Sequence, residues 1–141
     1  MALNHITFYS KLMEMEMGID VIIPENKWGY SLAERPKDYK YPVLWLLCGG
    51  GFDYTDWQRY TAIELYAAQA GIAVVMPSAY YSGYMDTIHG DYKYFSVITD
   101  EISKLAVKLF PLSEKREDNF VAGGRCTIRK SSGAVVFFRD R

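Results

Sequence analysis

The sequence has almost none of the residues that build stapled or metal-clad domains. Two cysteines, Cys48 and Cys126, stand among 141 residues. Their spacing fits neither a disulfide framework nor a metal site, and it points to reduced thiols. Histidine is as scarce, with only His5 and His89. Lysine and arginine never run beyond two in a row, and the net charge is −1. A nucleic-acid partner needs clustered cations, so none is expected. No apolar run approaches the roughly 18 residues of a membrane-spanning helix. The start, Met1 to Ile6, has no basic segment leading into an apolar one, so no secretory leader is expected. These absences predict a cytoplasmic protein that meets no membrane.

What is present suits one globular domain with a real core, since half the residues are hydrophobic and 23% are charged. Aromatics reach 16%, with 12 tyrosines, which hints at an aromatic-lined surface or cleft.

Along the chain, apolar residues alternate over 4–24. Met13, Met15 and Met17 interleave with Glu14 and Glu16, the pattern of a strand with one wet face. Gly18 interrupts before Ile19–Pro24, predicting two antiparallel strands or one bent strand. The methionines read as a packed face rather than a ligand site. Residues 25–40 are polar with Gly and Pro and read as a surface loop. Tyr41–Leu47 and Ile72–Pro77 are unbroken apolar runs, as strands covered on both faces require. Between them Trp57–Ala70 reads as one helix, with Asp56 as N-cap and Gly71 as the residue after its end. Strand, helix and strand at this spacing make a right-handed βαβ unit. Ser78–Lys93, rich in Tyr, Gly and Asp, lies at the carboxyl end of the second strand, where ligand-binding loops collect. A helix follows over 94–110, with Phe95, Ile98, Ile102, Leu105 and Leu109 along one face and Pro111 at its end. Asn119–Ala122 supplies another strand. The fold class is α/β: antiparallel leading strands, then β-α-β-α-β on a mostly parallel sheet.

Two glycine runs carry the chemistry. The first, Gly49–Gly51, follows a buried strand. A dinucleotide fingerprint from Gly49 needs glycine where Tyr54 stands, and no Walker Gly-Lys-Ser/Thr follows, so no nucleotide cofactor is expected. What remains is a loop whose backbone amides can approach a ligand closely. The second run, Gly123–Gly124, follows the strand end Phe120–Ala122. Such a step is where a G-x-S-x-G elbow mounts a nucleophilic serine. Here the serine position is Arg125 and the closing glycine is Thr127. Cys126 beside a cation is a conceivable nucleophile, but no motif supplies its base. His89 reads as an exposed loop histidine.

Taken in order, Leu46–Gly51, Asp56-Trp57, Ala73–Pro77, Asp91–Phe95 with Glu101, and Phe110–Gly123 resemble the tributyrin esterase branch of the esterase D and S-formylglutathione hydrolase group. The likeness runs over about residues 3–124. These are α/β-hydrolase serine carboxylesterases, and the resemblance implies the amino-terminal part of that fold with a small acyl ester as substrate in intact relatives. It implies Gly50 N–H as the upstream oxyanion donor, with Gly49 permitting close approach. Trp57 would begin the helix that packs this loop, and Gly123 and Gly124 would open the elbow. Cys48 departs from the usual histidine, tolerably for a loop that works through its backbone. Arg125 departs where serine is indispensable.

Triads of this fold run Ser, Asp or Glu, then His along the chain. After Gly124 come Ser131, Ser132 and Asp140 but no histidine. Residues 1–124 therefore read as a partial hydrolase domain and 125–141 as an aberrant tail with basic residues at 125, 129, 130, 139 and 141. Ser132–Phe138 fits the strand after an elbow helix if the serine has been deleted; a frame slip at Gly124 is the other reading. The chain is expected to be inactive as written. A non-catalytic remnant, or a module binding a partner or small molecule through the Tyr-rich 78–95 loop, is the alternative. Phe120 and Val121 would lie on an open sheet edge, which predicts self-association.

Overall fold

The structure is a computed structural model that describes residues 1–25, 36 and 38–123. Strands β1 (Ala2–Ser10) and β2 (Met15–Ile23) form an antiparallel hairpin, with Asn4 opposite Val21 and Ser10 opposite Met15. Strands β3 (Val43–Leu47), β4 (Ala73–Pro77) and β5 (Asn119–Gly123) complete one sheet in the order β1-β2-β4-β3-β5. β3 pairs in parallel with both β4 and β5, and β4 runs antiparallel to β2. The α/β expectation holds, with the parallel part confined to β4, β3 and β5.

Both sheet faces are covered, as the unbroken apolar runs required. On one face Ile19, Val21, Val43, Trp45 and Val75 pack against Val97, Ile98, Ile102 and Ala106. On the other, Ile22, Leu46, Val74 and Met76 meet Ile63 and Ala67. Each fully buried Val or Ile side chain contributes on the order of 1.5–3 kcal/mol, so these two layers are the main stabilising term.

Five expectations need correction. The hairpin turns at residues 11–14, where Glu14 takes φ 53°, and not at Gly18. Glu101 draws the turn in, its carboxylate accepting from Ser10 Oγ and from the backbone N–H of Lys11 (2.9 Å) and Leu12 (3.1 Å). Gly18 sits inside β2 because the Tyr54 ring lies against it, where a Cβ would overlap the ring. The methionine stripe is only partly a packed face, since Met13 and Met17 join the core while Met15 is exposed.

The predicted helix 57–70 is two helices, α1 (Asp56–Tyr60) and α2 (Ile63–Ala70). Thr61 is extended, and both its N–H and its hydroxyl bond back to Trp57 O, closing α1 early. A hydroxyl competing for a backbone carbonyl is how Thr breaks a helix. Asp56 is not the cap. Thr55 precedes the helix, and Asp53 Oδ1 holds it through its N–H (2.8 Å) and Oγ1 (2.6 Å). Gly71 does end α2, in a left-handed conformation.

The second predicted helix is present as α3 (Tyr94–Ser96), a π-helical stretch Val97–Ile102, and α4 (Ser103–Leu109). Ser103 N–H bonds Ile98 O, five residues back. This wider turn absorbs one residue. The buried side chains therefore recur as Ile98, Ile102 and Ala106, while Phe95 and Leu109, expected inside, are exposed.

Candidate functional site at the carboxyl edge of the sheet

Parallel strands β4, β3 and β5 end side by side, so the segments leaving them share one edge. Leu47, last in β3, pairs with Gly123, last in β5. Gly123 has φ +89°, and a Cβ there would overlap the Leu47 carbonyl oxygen. Only glycine allows β5 to approach the end of β3 this closely. The loop 48–51 and the chain beyond Gly123 thus start from adjacent points.

The loop 48–51 is clamped from three sides. Trp57 Nε1 donates to Leu47 O at 3.0 Å, so α1 does pack the loop's root. From the segment after β4, Tyr84 Oη donates to Cys48 O at 2.9 Å, and Tyr80 O accepts Gly51 N–H at 3.2 Å. The Tyr81 ring lies against Gly51, where an added Cβ would stand 2.6 Å from its hydroxyl. Tyr80 and Tyr84 hold φ of 45° and 59° to deliver these contacts. Positive φ on a bulky residue is strained, and such strain persists only where surrounding contacts over-determine it. Gly49 O accepts Phe52 N–H at 3.2 Å, closing the loop on itself. Gly50 N–H has no acceptor among the described residues. The result is a braced loop whose tip presents the Gly50 amide.

Cys48 is buried, its Sγ 3.2 Å from Tyr84 Oη and 3.4 Å from Phe52 O. It supports the clamp and is shielded from solvent. The rest of 78–93 is folded by Asp86, which accepts Ser96 N–H (3.1 Å) and Ser96 Oγ (2.6 Å), and by Thr87 N–H bonding Tyr92 O (2.9 Å). Burial, and then the neighbouring Tyr80 and Tyr92, push the Tyr94 phenol up from its ordinary value. His89 is exposed. Gly124, Arg125 and Cys126 lie outside the described residues.

Sequence reasoning missed a polar cluster behind the loop. Asp20, with its side chain 4% exposed, accepts from Gln58 Nε2 (3.0 Å) and meets His5 Nδ1 (2.6 Å). His5 Nε2 lies 3.5 Å from Tyr54 Oη, and Tyr54 N–H donates to the buried Ser78 Oγ at 2.9 Å. The Tyr54 phenol is pushed up by partial burial, then by Asp53, Asp20 and Tyr80. The signal was in the sequence: a carboxylate at Asp20 inside the apolar run Ile19–Ile23 must find donors, since a lone buried charge is too costly. Among the described residues no group of three His, Cys, Asp or Glu side chains could hold a metal ion, and no helix is long and apolar enough to cross a membrane.

Known proteins share this architecture. Fluorophosphonate-binding serine hydrolase F of Staphylococcus aureus superposes with a TM-score of 0.73 at 33% identity, over 85% of this chain and 46% of its own. S-formylglutathione hydrolase of the same organism gives 0.69 at 33% identity, over 85% and 46%. The chain has the fold of the amino-terminal part of an α/β-hydrolase and is similar over that part to members of the esterase D and S-formylglutathione hydrolase group. In sequence this hydrolase half is 28% identical over 123 residues to an acetyl esterase of Caldicellulosiruptor saccharolyticus, covering 87% of this chain and 46% of the esterase. It therefore spans about half the length of the relatives it matches. No protein-family model matches it.

Proposed function

We propose that the hydrolase half supplies the oxyanion side of a carboxylic-ester site, with Gly50 N–H as the upstream donor and Gly49 allowing the carbonyl to approach. The observation that carries this reading is the Gly50 amide, without an acceptor among the described residues, on a loop clamped by Trp57, Tyr80 and Tyr84. Donors fixed before the reaction stabilise a developing oxyanion without reorganising, which is where such sites gain most of their rate. The site sits beside Leu47 and Gly123, so the elbow entry through Gly123 and Gly124 would bring a second amide to the same oxygen.

A complete esterase would then need a serine to attack the acyl carbon, a histidine to take its proton and a carboxylate to orient that histidine. Position 125 is arginine, and no histidine stands between it and residue 141. His5 is held by Asp20 behind the loop and His89 is in the exposed loop. Residues 1–141 by themselves are thus a non-hydrolysing scaffold for short-chain acyl esters, with 1–124 as the hydrolase part and 125–141 as a tail of separate character. The purified chain should release no p-nitrophenol from p-nitrophenyl butyrate above the buffer rate. Turnover that co-purifies with the chain and is lost in Cys126→Ala would overturn the inactive reading and make the thiol the nucleophile.

A further inference from the structure

The sheet ends in β5 on one side and in β1 on the other, and the two edges are built differently. β5 has five residues and finishes in the positive φ of Gly123. β1 runs nine residues, Ala2–Ser10, and pairs one-to-one with β2 over that whole length without a bulge. An edge strand is ordinarily blunted by a charge, a proline, a bulge or shortness, because its unpaired amides and carbonyls template another strand. β1 has none of these devices, since Ala2–Ser10 contains no Asp, Glu, Lys, Arg, Pro or Gly. Among the described residues its backbone bonds to β2 alone, apart from a 3.4 Å contact from Asn4 Nδ2 to Ala2 O within the strand. Its side chains alternate. Ile6 and Phe8 pack on the core, while Leu3, His5, Thr7 and Tyr9 stand on the other face, Leu3 45% and Tyr9 62% exposed.

We propose that β1 pairs with β1 of a second copy of this chain, antiparallel about a two-fold axis, so that one sheet runs through both copies. Self-complementarity singles out this occupant. Along an antiparallel ladder the outward backbone groups alternate, so two copies of one strand can meet only with odd positions opposite odd and even opposite even. Full overlap of Ala2–Ser10 satisfies that parity, with Ile6 on the axis. Leu3 then lies opposite the partner's Tyr9, twice by symmetry, an apolar–aromatic pair of the kind that stabilises a ladder. His5 meets the partner's Thr7 and not its own copy, so no like charges are opposed even with the imidazole protonated. The arrangement is closed, because each copy uses up its β1 edge on the other. It is independent of the ester-site reading and of Phe120, which lies at the opposite edge.

The test is sedimentation equilibrium of the 141-residue chain carrying Phe120→Lys, which silences the β5 edge. Mass should rise with concentration and stop at two copies. Leu3→Glu and Tyr9→Lys, each at an exposed position, should each raise the dimer dissociation constant about tenfold, since symmetry counts every substitution twice. Combining them sets the new carboxylate opposite the new ammonium across the axis and should recover most of the loss. That rescue separates pairing from folding, because the two positions lie at opposite ends of one strand and cannot repair each other within a copy. A Phe120→Lys chain that is monomeric at every concentration, assembly beyond two copies, insensitivity to both single substitutions, or a double variant weaker than either single one would overturn the proposal.

Discussion

Replacing Tyr84 by Phe removes one oxygen and leaves the ring in place, so it isolates a single strut of the loop clamp. That oxygen donates to Cys48 O at 2.9 Å, and Tyr84 is 7% exposed. A neutral hydrogen bond contributes about 0.5–1.5 kcal/mol net, and leaving a buried acceptor unpaired costs about 1–3 kcal/mol. The positive φ at position 84 is retained in the variant, so no strain is relieved to offset the loss. An expected destabilisation of about 1–2 kcal/mol follows. With a urea dependence of about 1–3 kcal/mol per molar, the midpoint should fall by roughly 0.3–2 M. Hydrogen exchange should locate the change. The amides of Gly51 and Phe52, bonded to Tyr80 O and Gly49 O, should exchange faster, while those of β4 should follow only the global loss. An unchanged midpoint together with unchanged protection at Gly51 and Phe52 would show that the strut carries no load and that Trp57 and Tyr80 set the loop without it.

Gly123→Ala should destabilise by more than Gly71→Ala: both have positive φ, but a Cβ at Gly71 meets nothing within 4 Å, whereas one at Gly123 also lies 3.1 Å from the backbone C and N of Leu47. Conformation alone costs about 1–2 kcal/mol, and equal losses in urea denaturation would refute the close approach of β5 to β3. The raised Tyr94 phenol makes the folded state hold its proton above pH 10.0, the ordinary value; stability should be intact below that pH and fall as pH rises through the folded value. Tyr94→Phe should flatten this alkaline decline, and an identical decline in the variant would refute it. Among the described residues β5 is paired on one side only and Phe120 is 50% exposed, so sedimentation should show concentration-dependent association that Phe120→Lys weakens. A concentration-independent monomer would refute that edge as an interface.

Residues whose environment is set by their own strand were legible in the sequence. Tyr41–Leu47 and Ile72–Pro77 could only be strands sandwiched between layers, and Gly71 could end a helix because nothing else tolerates that turn so cheaply. Gly123 announced a special backbone position, although its reason, contact with the Leu47 carbonyl, is a tertiary fact. What failed depended on partners distant in sequence. Glu101 reaches the turn at 10–12 from about ninety positions away, so the turn was misplaced at Gly18, whose own purpose is to admit Tyr54. The π turn moved the helix face because a period of 3.6 cannot register one absorbed residue. The tyrosines of 80–84 suggested a surface, and only the structure shows that they brace the glycine loop.

The register that creates the site also sets when it appears. Trp45 Nε1 bonds Asn119 Oδ1 across 74 positions, whereas Asn4 Nδ2 reaches Val21 O across 17. Closing the longer loop carries the larger entropic cost, so the β1–β2 hairpin can form early and β5 must dock late. During synthesis the glycine loop emerges from the ribosome well before the strand it waits for. Among the described strands the last to arrive is also the one whose pairing is easiest to lose, and its release would dissolve the Gly123 side of this edge while the rest of the sheet still stood.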